Sequence, residues 1–152
     1  MKIVIDTNII FSLLLNSENT IGNIFFNSSD YFTFYSCTYM KFEISKHWDK
    51  LKKLSKLSEY QLEKSRELIY SKLHFIDEAI IPPKVWIKAE KIATNIDIND
   101  IDFIALSIFL KATLWTGDKH LYNGLEKIEF KKSIITADLF ELIKLKRGKS
   151  FK

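Results

Sequence analysis

The sequence predicts an α/β protein, a three-layer α/β/α sandwich around a central, mostly parallel sheet of about five strands. Short, largely apolar segments such as "KIVI" and "TLWT" are typical of parallel strands that are covered on both faces. Segments with helical spacing alternate with these strands, as right-handed crossover connections require. Acidic residues follow the strands, Asp6 after "KIVI" and Asp118 after "TLWT". Ligands of such sheets bind at the carboxyl ends of the strands, so the predicted site lies there.

The first part of the chain predicts two strands and two short helices. Residues 2–5 form the first predicted strand, and "IIFSLLL" predicts the helix that follows it. Thr7 and Asn8 are the candidate N-caps of that helix. A second short helix is predicted at "TIGNIFFN", and the alternating "YFTFYS" predicts the second strand.

Helical spacing dominates the next part of the chain, over residues 38–53 and 58–72. Ser58 followed by Gln61 is a capping-box pattern, which fixes the start of the second of these helices. The predicted core-facing side chains are Phe42, Trp48, Leu51 and Leu54 in the first helix and Leu62, Leu68, Ile69 and Leu73 in the second.

The remaining elements repeat the alternation of strands and helices. "HFID" predicts a short strand, which Pro82 and Pro83 end, and a helix is predicted over 83–95. After "NIDIND" come an almost wholly apolar helix, "FIALSIFLKA", and the strand "TLWT". "SIITADLFELIKL" predicts a strand, a cap and an amphipathic helix.

Length and composition favour a single regular domain. The chain has 152 residues, 47% of them hydrophobic, with four Gly and two Pro. We predict one domain over 1–145 and a basic C-terminal tail over 146–152. No segment approaches the roughly 18 uncharged residues of a membrane helix, and Asp6 interrupts the first apolar run too early for a signal peptide. A cytoplasmic location with no membrane partner is therefore expected. The single Cys37 excludes an intramolecular disulfide and a cysteine zinc site, and its apolar context predicts burial.

The net charge of +4 is unevenly distributed. Residues 41–72 hold nine Lys or Arg against five Asp or Glu, and residues 144–152 hold five Lys or Arg and no acid, so the rest of the chain carries a net −5. An acidic centre between two basic regions suits a polyanion bound across a metal-holding carboxylate cluster. The alternative is a solvated helix face and a frayed basic tail.

Each acidic residue has an ordinary interpretation when it is taken alone. Asp6 suits the positive end of a helix dipole, Glu43 suits a solvated position on a lysine-rich helix, and Asp118 suits a turn or an N-cap. Taken together, Asp6, Asp118 and Asp100 converge on one edge of the sheet. Carboxylates that meet there repel one another, and a hard divalent cation such as Mg²⁺ or Mn²⁺ relieves that repulsion.

Four motifs then give the chain a resemblance to the PIN domain family, including its VapC-type toxin ribonucleases. The motifs are "VIDTNII", "YMKFEISKHW", "DINDIDFIALSI" and "LWTGDKHL", and the resemblance extends to the closing "IITADLFELI". Their order and spacing make the combination specific, although each motif is short.

The resemblance implies Mg²⁺- or Mn²⁺-dependent RNA cleavage at a site of four carboxylates. The implied catalytic and metal-binding residues are Asp6, Glu43, Asp100 and Asp118. The implied auxiliary residues are Asn8 and Thr116, together with Asp97 and Asp102, either of which exchanges roles with Asp100 if the register shifts. The resemblance also implies an RNA substrate, an antitoxin partner and a homodimer.

Basic and aromatic side chains are candidates for contacts with RNA. The candidate phosphate contacts are Lys46, Lys50, Lys53, Lys119, Lys146 and Arg147, which would add affinity without sequence specificity. Trp48 is a candidate for stacking on a base, with helix packing as the alternative. No histidine has a metal-ligand spacing, and His120 is the one predicted to lie near the site.

The leading hypothesis from the sequence is a metal-dependent endoribonuclease, the toxin of a toxin–antitoxin pair. The alternative is a catalytically silent PIN-like module that binds RNA or acts as a scaffold. The clustered acidic residues argue against a pure RNA binder, since negative charge repels a polyanion. The nucleotide-binding patterns G-x-x-x-x-G-K-[ST] and G-x-G-x-x-G are missing from the sequence.

Overall fold

A computed structural model describes residues 1–128, 130 and 132–150 of the chain. Its centre is a five-stranded parallel sheet in the order β3-β2-β1-β4-β5. The strands are β1 (Lys2–Ile5), β2 (Thr33–Cys37), β3 (His74–Ile76), β4 (Thr113–Trp115) and β5 (Ser133–Ile134). The predicted α/β architecture with a parallel sheet is confirmed.

Helices connect the strands. They are α1 (Thr7–Leu15), α2 (Thr20–Asn27), α3 (Thr38–Lys46), α4 (Trp48–Leu54), α5 (Glu59–Ser71), α6 (Pro83–Thr94), α7 (Ile101–Leu110), α8 (Lys119–Lys127) and α9 (Thr136–Ser150). Single 3₁₀ turns at Glu78–Ile80 and Ile98–Asp100 precede α6 and α7. Within the described residues, no helix is both long and apolar enough to cross a membrane.

Both faces of the sheet are covered, as the apolar strands predicted. Ile3, Val4 and Ile5 follow one another in β1 and are all 0% exposed, although successive side chains of a strand point to opposite faces. Helix α7 packs on β1, β2 and β4. The Trp115 indole at the end of β4 is also fully buried, and its Nε1 donates to Thr136 Oγ1 at 3.0 Å. This bond fixes the start of α9 against the end of β4.

The predicted cap of α1 is wrong. Asp6, and neither Thr7 nor Asn8, is the N-cap, and its Oδ1 accepts the Ile9 N–H at 3.1 Å. The helix begins directly after β1, so Thr7 and Asn8 already belong to its first turn. Asp6 therefore ends the strand and caps the helix at the same time.

The predicted helix over 38–53 is divided at His47 into α3 and α4. The His47 N–H is shared between the carbonyls of Glu43 and Ile44, a bifurcated bond of the kind that closes helix ends. The predicted core faces are also wrong in part, since Phe42 is 61% exposed, Leu54 is 55% exposed, and Leu68 in α5 is 52% exposed. Met40 and Ile44 face the core in α3 instead, and Leu51 does so in α4 as predicted.

Two further predictions concern the start of α5 and the end of the chain. The capping box is confirmed, since Ser58 Oγ accepts the Gln61 N–H at 3.1 Å and Gln61 Oε1 accepts the Ser58 N–H at 2.9 Å. Helix α9 reaches Ser150, so the basic residues 146–150 continue a helix, and only 151–152 of the predicted tail lie outside the described residues. Cys37 is buried, as predicted.

Candidate metal and nucleic-acid site

The candidate site begins where two neighbouring strands end. Ile5 of β1 is paired with Trp115 of β4, and the Asp6 N–H donates to the Trp115 carbonyl at 3.3 Å. Because the two strands are parallel, their next residues emerge at the same edge of the sheet. That edge carries Asp6 from β1 and the segment 116–118 from β4.

Asp6 is a buried carboxylate, only 3% exposed. Burial raises the pKa of Asp6 to about 6, because loss of solvation disfavours the charged form. A hydrogen bond from the Thr116 hydroxyl and the backbone amides of Ile9 and Asn8 lower this pKa, and the charge of Asp118 raises it. Without a bound cation, a proton is therefore held on Asp6 more readily than on an exposed aspartate.

Asp118 is the N-cap of α8. Its Oδ1 accepts the N–H of His120 at 2.9 Å and the N–H of Leu121 at 3.3 Å. The Asp118 N–H in turn donates to Thr116 Oγ1 at 3.0 Å. Thr116 is fully buried and interacts with both aspartates, so one hydroxyl couples the ends of β1 and β4.

Asp100 has a buried oxygen without a partner. It ends the second 3₁₀ turn and precedes α7, but its side chain makes no capping bond. Its Oδ2 is buried and has no hydrogen-bond partner within the described part of the chain. Burial, together with the charges of Asp97, Asp6, Asp118 and Glu43, raises the pKa of Asp100 to about 7. Buried carboxylate oxygens are normally paired, so this one indicates a position for a cation or a proton.

Glu43 lies on α3. Its Oε1 accepts a hydrogen bond from Thr7 Oγ1 at 2.5 Å, so α3 is joined to the first turn of α1. Glu43 lines the same cleft as Asp6, Asp100 and Asp118. The four carboxylates implied by the resemblance are thus brought to one cavity of about 160 Å³.

The three clustered aspartates of the segment 97–102 differ in position. Asp97 lines the cleft with Asp100 and caps the 3₁₀ turn by accepting the Asn99 N–H at 3.0 Å. Asp102 is not among the cleft-lining residues. Burial, together with the charges of Glu78 and Glu43, raises the pKa of Asp102 to about 6. Asn8, the predicted auxiliary residue, lies on the cleft wall and is exposed.

The side chains fit a hard divalent cation by type. Carboxylates, with Asn8 and Thr7 beside them, are the oxygen donors that Mg²⁺ and Mn²⁺ prefer. Across residues 1–128, 130 and 132–150, however, no three His, Cys, Asp or Glu side chains converge closely enough to form a closed ligand set. Asp6 and Asp118 are held by helix amides and Glu43 by Thr7, and mutual repulsion keeps uncompensated carboxylates apart.

Sequence reasoning missed a contact that joins the two acidic segments. His120 Nε2 lies 3.3 Å from the Ile96 carbonyl oxygen, directly before Asp97. A Cβ atom on Gly124 would lie 2.8 Å from Ile96 Cγ1 and 2.9 Å from its Cδ1. Residues four apart share a helix face, so His120 and Gly124 both place α8 against Ile96. No periodic signal could have revealed this contact between distant segments.

We predict that Gly124→Ala displaces Ile96 and weakens the site. The added methyl group overlaps the Ile96 side chain, so the segment carrying Asp97 and Asp100 must shift. Changes that disturb the groups around metal ligands typically cost about 10- to 100-fold in metal affinity or activity. Isothermal calorimetry with Mn²⁺ measures the loss. Ile96→Val in the Gly124→Ala background removes part of the overlap and should restore some affinity; unchanged Mn²⁺ affinity in Gly124→Ala contradicts the prediction.

The six candidate phosphate contacts lie outside the cleft lining. Lys46, Lys50, Lys53, Lys119 and Arg147 are exposed, and Lys146 is half-buried in α9. Lys119 follows Asp118 directly and begins α8. Trp48 packs partly against the core, and the Arg66 guanidinium carbon lies 4.2 Å from its ring centroid. This agrees with the helix-packing alternative, because one face of the indole is already occupied.

Comparison with known proteins identifies the fold and the family. A chain in the crystal structure of VapBC2 from Rickettsia felis, bound to a DNA fragment from their promoter, superposes with a TM-score of 0.59 at 19% sequence identity. The match covers 89% of this chain and 97% of that chain. No curated protein matches the sequence. The PIN domain family model matches residues 4–137, a range that contains all four cleft carboxylates, and the chain therefore belongs to the PIN domain family.

Proposed function

We propose that the protein is a metal-dependent endoribonuclease that hydrolyses RNA phosphodiester bonds. The observation that supports this most is the meeting of Asp6, Glu43, Asp100 and Asp118 in one cleft, with a buried Asp100 oxygen that has no partner in the described chain. PIN domain proteins are typically nucleases, so membership supports the same reaction class.

The four carboxylates would hold Mg²⁺ or Mn²⁺. When bound, such an ion polarises the phosphodiester and lowers the pKa of water. The chain's own contribution is to position the carboxylates. Thr116 fixes Asp6 relative to Asp118, and Thr7 holds Glu43 in place. Asn8, exposed on the cleft wall, is suited to orient a water molecule or a phosphate oxygen.

The biological role that we propose is that of a toxin with a protein antitoxin, acting in the cytoplasm as a homodimer. The structural likeness to a chain of the VapBC2 complex supports a toxin-like role. The basic residues of α3 and α4 (Lys46, Lys50 and Lys53), with Lys119, Lys146 and Arg147, would contact RNA phosphates.

The test is cleavage of labelled single-stranded RNA by the purified protein with Mn²⁺, with Mg²⁺ or with EDTA. We expect internal cuts with either ion, no cleavage in EDTA, and no cleavage of DNA of the same sequence. Calorimetry with Mn²⁺ runs in parallel. If RNA binds while no ion binds and no cut appears, the protein is a silent RNA-binding or scaffolding module and the proposal fails.

A further inference from the structure

A second cavity adjoins the acidic cleft on the far side of the segment 116–118. It has a volume of about 380 Å³, within the range of roughly 300–1,000 Å³ usual for ligand pockets. Thr116 and Gly117 form one wall, Lys119, Tyr122 and Asn123 of α8 form a second, and the start of α9 forms a third. We call it the side cavity. Asp118 lines the acidic cleft while its neighbours Gly117 and Lys119 line the side cavity, so a short segment separates the two.

The walls of the side cavity are fixed by hydrogen bonds. Thr116 Oγ1 accepts the Asp118 N–H at 3.0 Å, and Thr136 Oγ1 accepts the Trp115 Nε1–H at 3.0 Å. Tyr122 lies on α8, whose first turn is capped by Asp118. These bonds hold the walls in place without a contribution from a ligand, an arrangement that lowers the entropic cost of binding.

Gly117 lies between Thr116, which lines the side cavity, and Asp118, which lines the acidic cleft. Its backbone is outside the left-handed region, and a Cβ atom there would meet only Ile9 Cδ1, at an ordinary 3.6 Å. Neither backbone conformation nor packing within the described chain requires glycine at this position. A ligand that extends from the acidic cleft to the side cavity would pass this position, where glycine adds no side chain.

The side chains of the side cavity match one ligand class. Tyr122 offers an aromatic face, and bases of single-stranded RNA stack on such faces. The exposed Asn123 amide has the donor and acceptor that pair with a base edge. Lys119 adds a cation suited to a phosphate. An apolar peptide would use the aromatic ring but neither the amide nor the cation.

We propose that the side cavity is the subsite for the nucleobase next to the scissile phosphate. Tyr122 stacks on that base, Asn123 contacts its edge and Lys119 contacts the adjoining phosphate. The subsite rests on the proposed ribonuclease function, and it assigns the base preference at the cut to Tyr122 and Asn123.

The test compares Tyr122→Ala and Tyr122→Phe with Tyr60→Ala, a matched control because Tyr60 is 68% exposed on α5. Sequencing of the cut sites in a random RNA pool gives the base preference, and a single oligoribonucleotide gives kcat and KM. We expect Tyr122→Ala to raise KM by about tenfold, to flatten the preference at one position beside the cut, and to leave kcat within about twofold. Tyr122→Phe keeps the ring and should behave as the wild type.

A second variant covers the case in which Tyr122→Ala does not fold. Gly117→Val adds a side chain between the two cavities, and we expect it to raise KM without lowering the melting temperature. Equal KM and equal base preference in Tyr122→Ala and Tyr60→Ala overturn the subsite, and so does a loss confined to kcat.

Binding in Ca²⁺, followed by the fluorescence anisotropy of a labelled oligoribonucleotide, separates the subsite from the nuclease proposal. If the wild type never cuts RNA but Tyr122→Ala binds it more weakly than Tyr60→Ala does, the subsite stands and the nuclease function fails. Cleavage that does not depend on Tyr122 overturns the subsite alone. RNA that is neither cut nor bound overturns both.

Discussion

The Asp100→Asn substitution is expected to lower the rate of RNA cleavage by on the order of 10³-fold or more, as removal of a residue that acts as part of a catalytic unit does. Asp100 is the cleft carboxylate whose Oδ2 is buried without a partner among the described residues. Asparagine has the same shape but presents one neutral oxygen, so it loses the charge that attracts a divalent cation. Each factor of ten corresponds to about 1.4 kcal/mol of transition-state stabilisation.

The same substitution should not destabilise the protein. Burial raises the pKa of Asp100 to about 7, so at neutral pH its charge is disfavoured in the folded state and a neutral amide removes that cost. A melting temperature equal to or above that of the wild type therefore separates lost chemistry from lost folding. Single-turnover cleavage in saturating Mn²⁺ measures the rate.

Asp102→Asn is the matched control for this prediction. Asp102 is two residues away and also partly buried, but it lies near Glu78 and Glu43 and outside the lining of the cleft. We expect its cleavage rate to stay within a few-fold of the wild type, and Asp97→Asn to lose roughly 10- to 100-fold, as residues beside ligands do. If Asp102→Asn loses as much activity as Asp100→Asn, the third carboxylate of the site is assigned to the wrong position.

The sheet could be predicted because the apolar composition of its strands indicates that they are buried. Apart from Lys2 at the start of β1, "KIVI" and "TLWT" contain no charged residue, and parallel strands covered on both faces require such runs. The positions of Asp6 and Asp118 at one edge followed from that reading. Helix ends were harder to predict. Asp6, Thr7 and Asn8 are all acceptable N-caps, and which of them caps α1 depends on the residue at which β1 ends. The division between α3 and α4 at His47 has no sequence signal, because α3 ends there through hydrogen bonds from the His47 N–H to backbone carbonyls and no Gly or Pro marks the position.

The sequence predicted which residues form the site but not the contacts that hold them in place. Its four carboxylates were named from motif order, but the shared role of Thr116 and the contact of Ile96 with His120 and Gly124 join residues that no local periodicity connects. Asp97, Asp100 and Asp102 illustrate the same limit. The motif favours Asp100 but leaves an exchange with Asp97 or Asp102 open. The 3₁₀ turn that ends at Asp100 places Asp97 and Asp100, but not Asp102, at the cleft.

In the absence of divalent cations, the free energy of unfolding is expected to fall as the pH rises from about 4 to about 7. Burial raises the pKa of Asp6 to about 6 and that of Asp100 to about 7, against about 3.9 in an unfolded chain. In that window the folded state keeps protons that the unfolded state has lost, so stability decreases with rising pH. For Asp6 alone, the increase in pKa from 3.8 to about 6 corresponds to about 3 kcal/mol, or roughly 6–12 °C in melting temperature.

The other carboxyl groups whose pKa values are shifted do not reverse this decrease of stability with rising pH. The pKa of Asp102 is raised to about 6, chiefly by burial, and contributes with the same sign. Burial alone would raise the pKa of Glu78, but hydrogen bonds from Thr38 and Tyr39 lower it overall. The stability that Glu78 contributes is present above its unfolded pKa and is lost as the pH falls through its folded value, which lies below the usual range of a glutamate. Its effect therefore lies at the acid end of the window.

A divalent cation should reverse the loss, because it binds the ionised carboxylates of the folded state. At a concentration about 100 times its dissociation constant, an ion adds about 2.7 kcal/mol to the stability. We expect Mn²⁺ to raise the melting temperature strongly at pH 7.5 and weakly at pH 5, where Asp6 and Asp100 hold protons. Thermal unfolding in EDTA and in Mn²⁺ at both pH values measures the effect.

Two variants identify the groups responsible for this behaviour. Asp6→Asn with Asp100→Asn should flatten the pH dependence in EDTA and abolish the Mn²⁺ effect, because neutral amides neither titrate nor attract the ion. Asp30→Asn should retain both, since Asp30 is exposed and lies in the turn before β2, at the opposite edge of the sheet. A melting temperature that rises from pH 5 to pH 7.5 in EDTA, or an equal Mn²⁺ effect in the double variant, would show that the buried carboxylates are not the cation site. If the double variant loses both the pH dependence in EDTA and the Mn²⁺ effect while Asp30→Asn keeps them, the same two carboxylates are costly to bury without the ion and are stabilised by it.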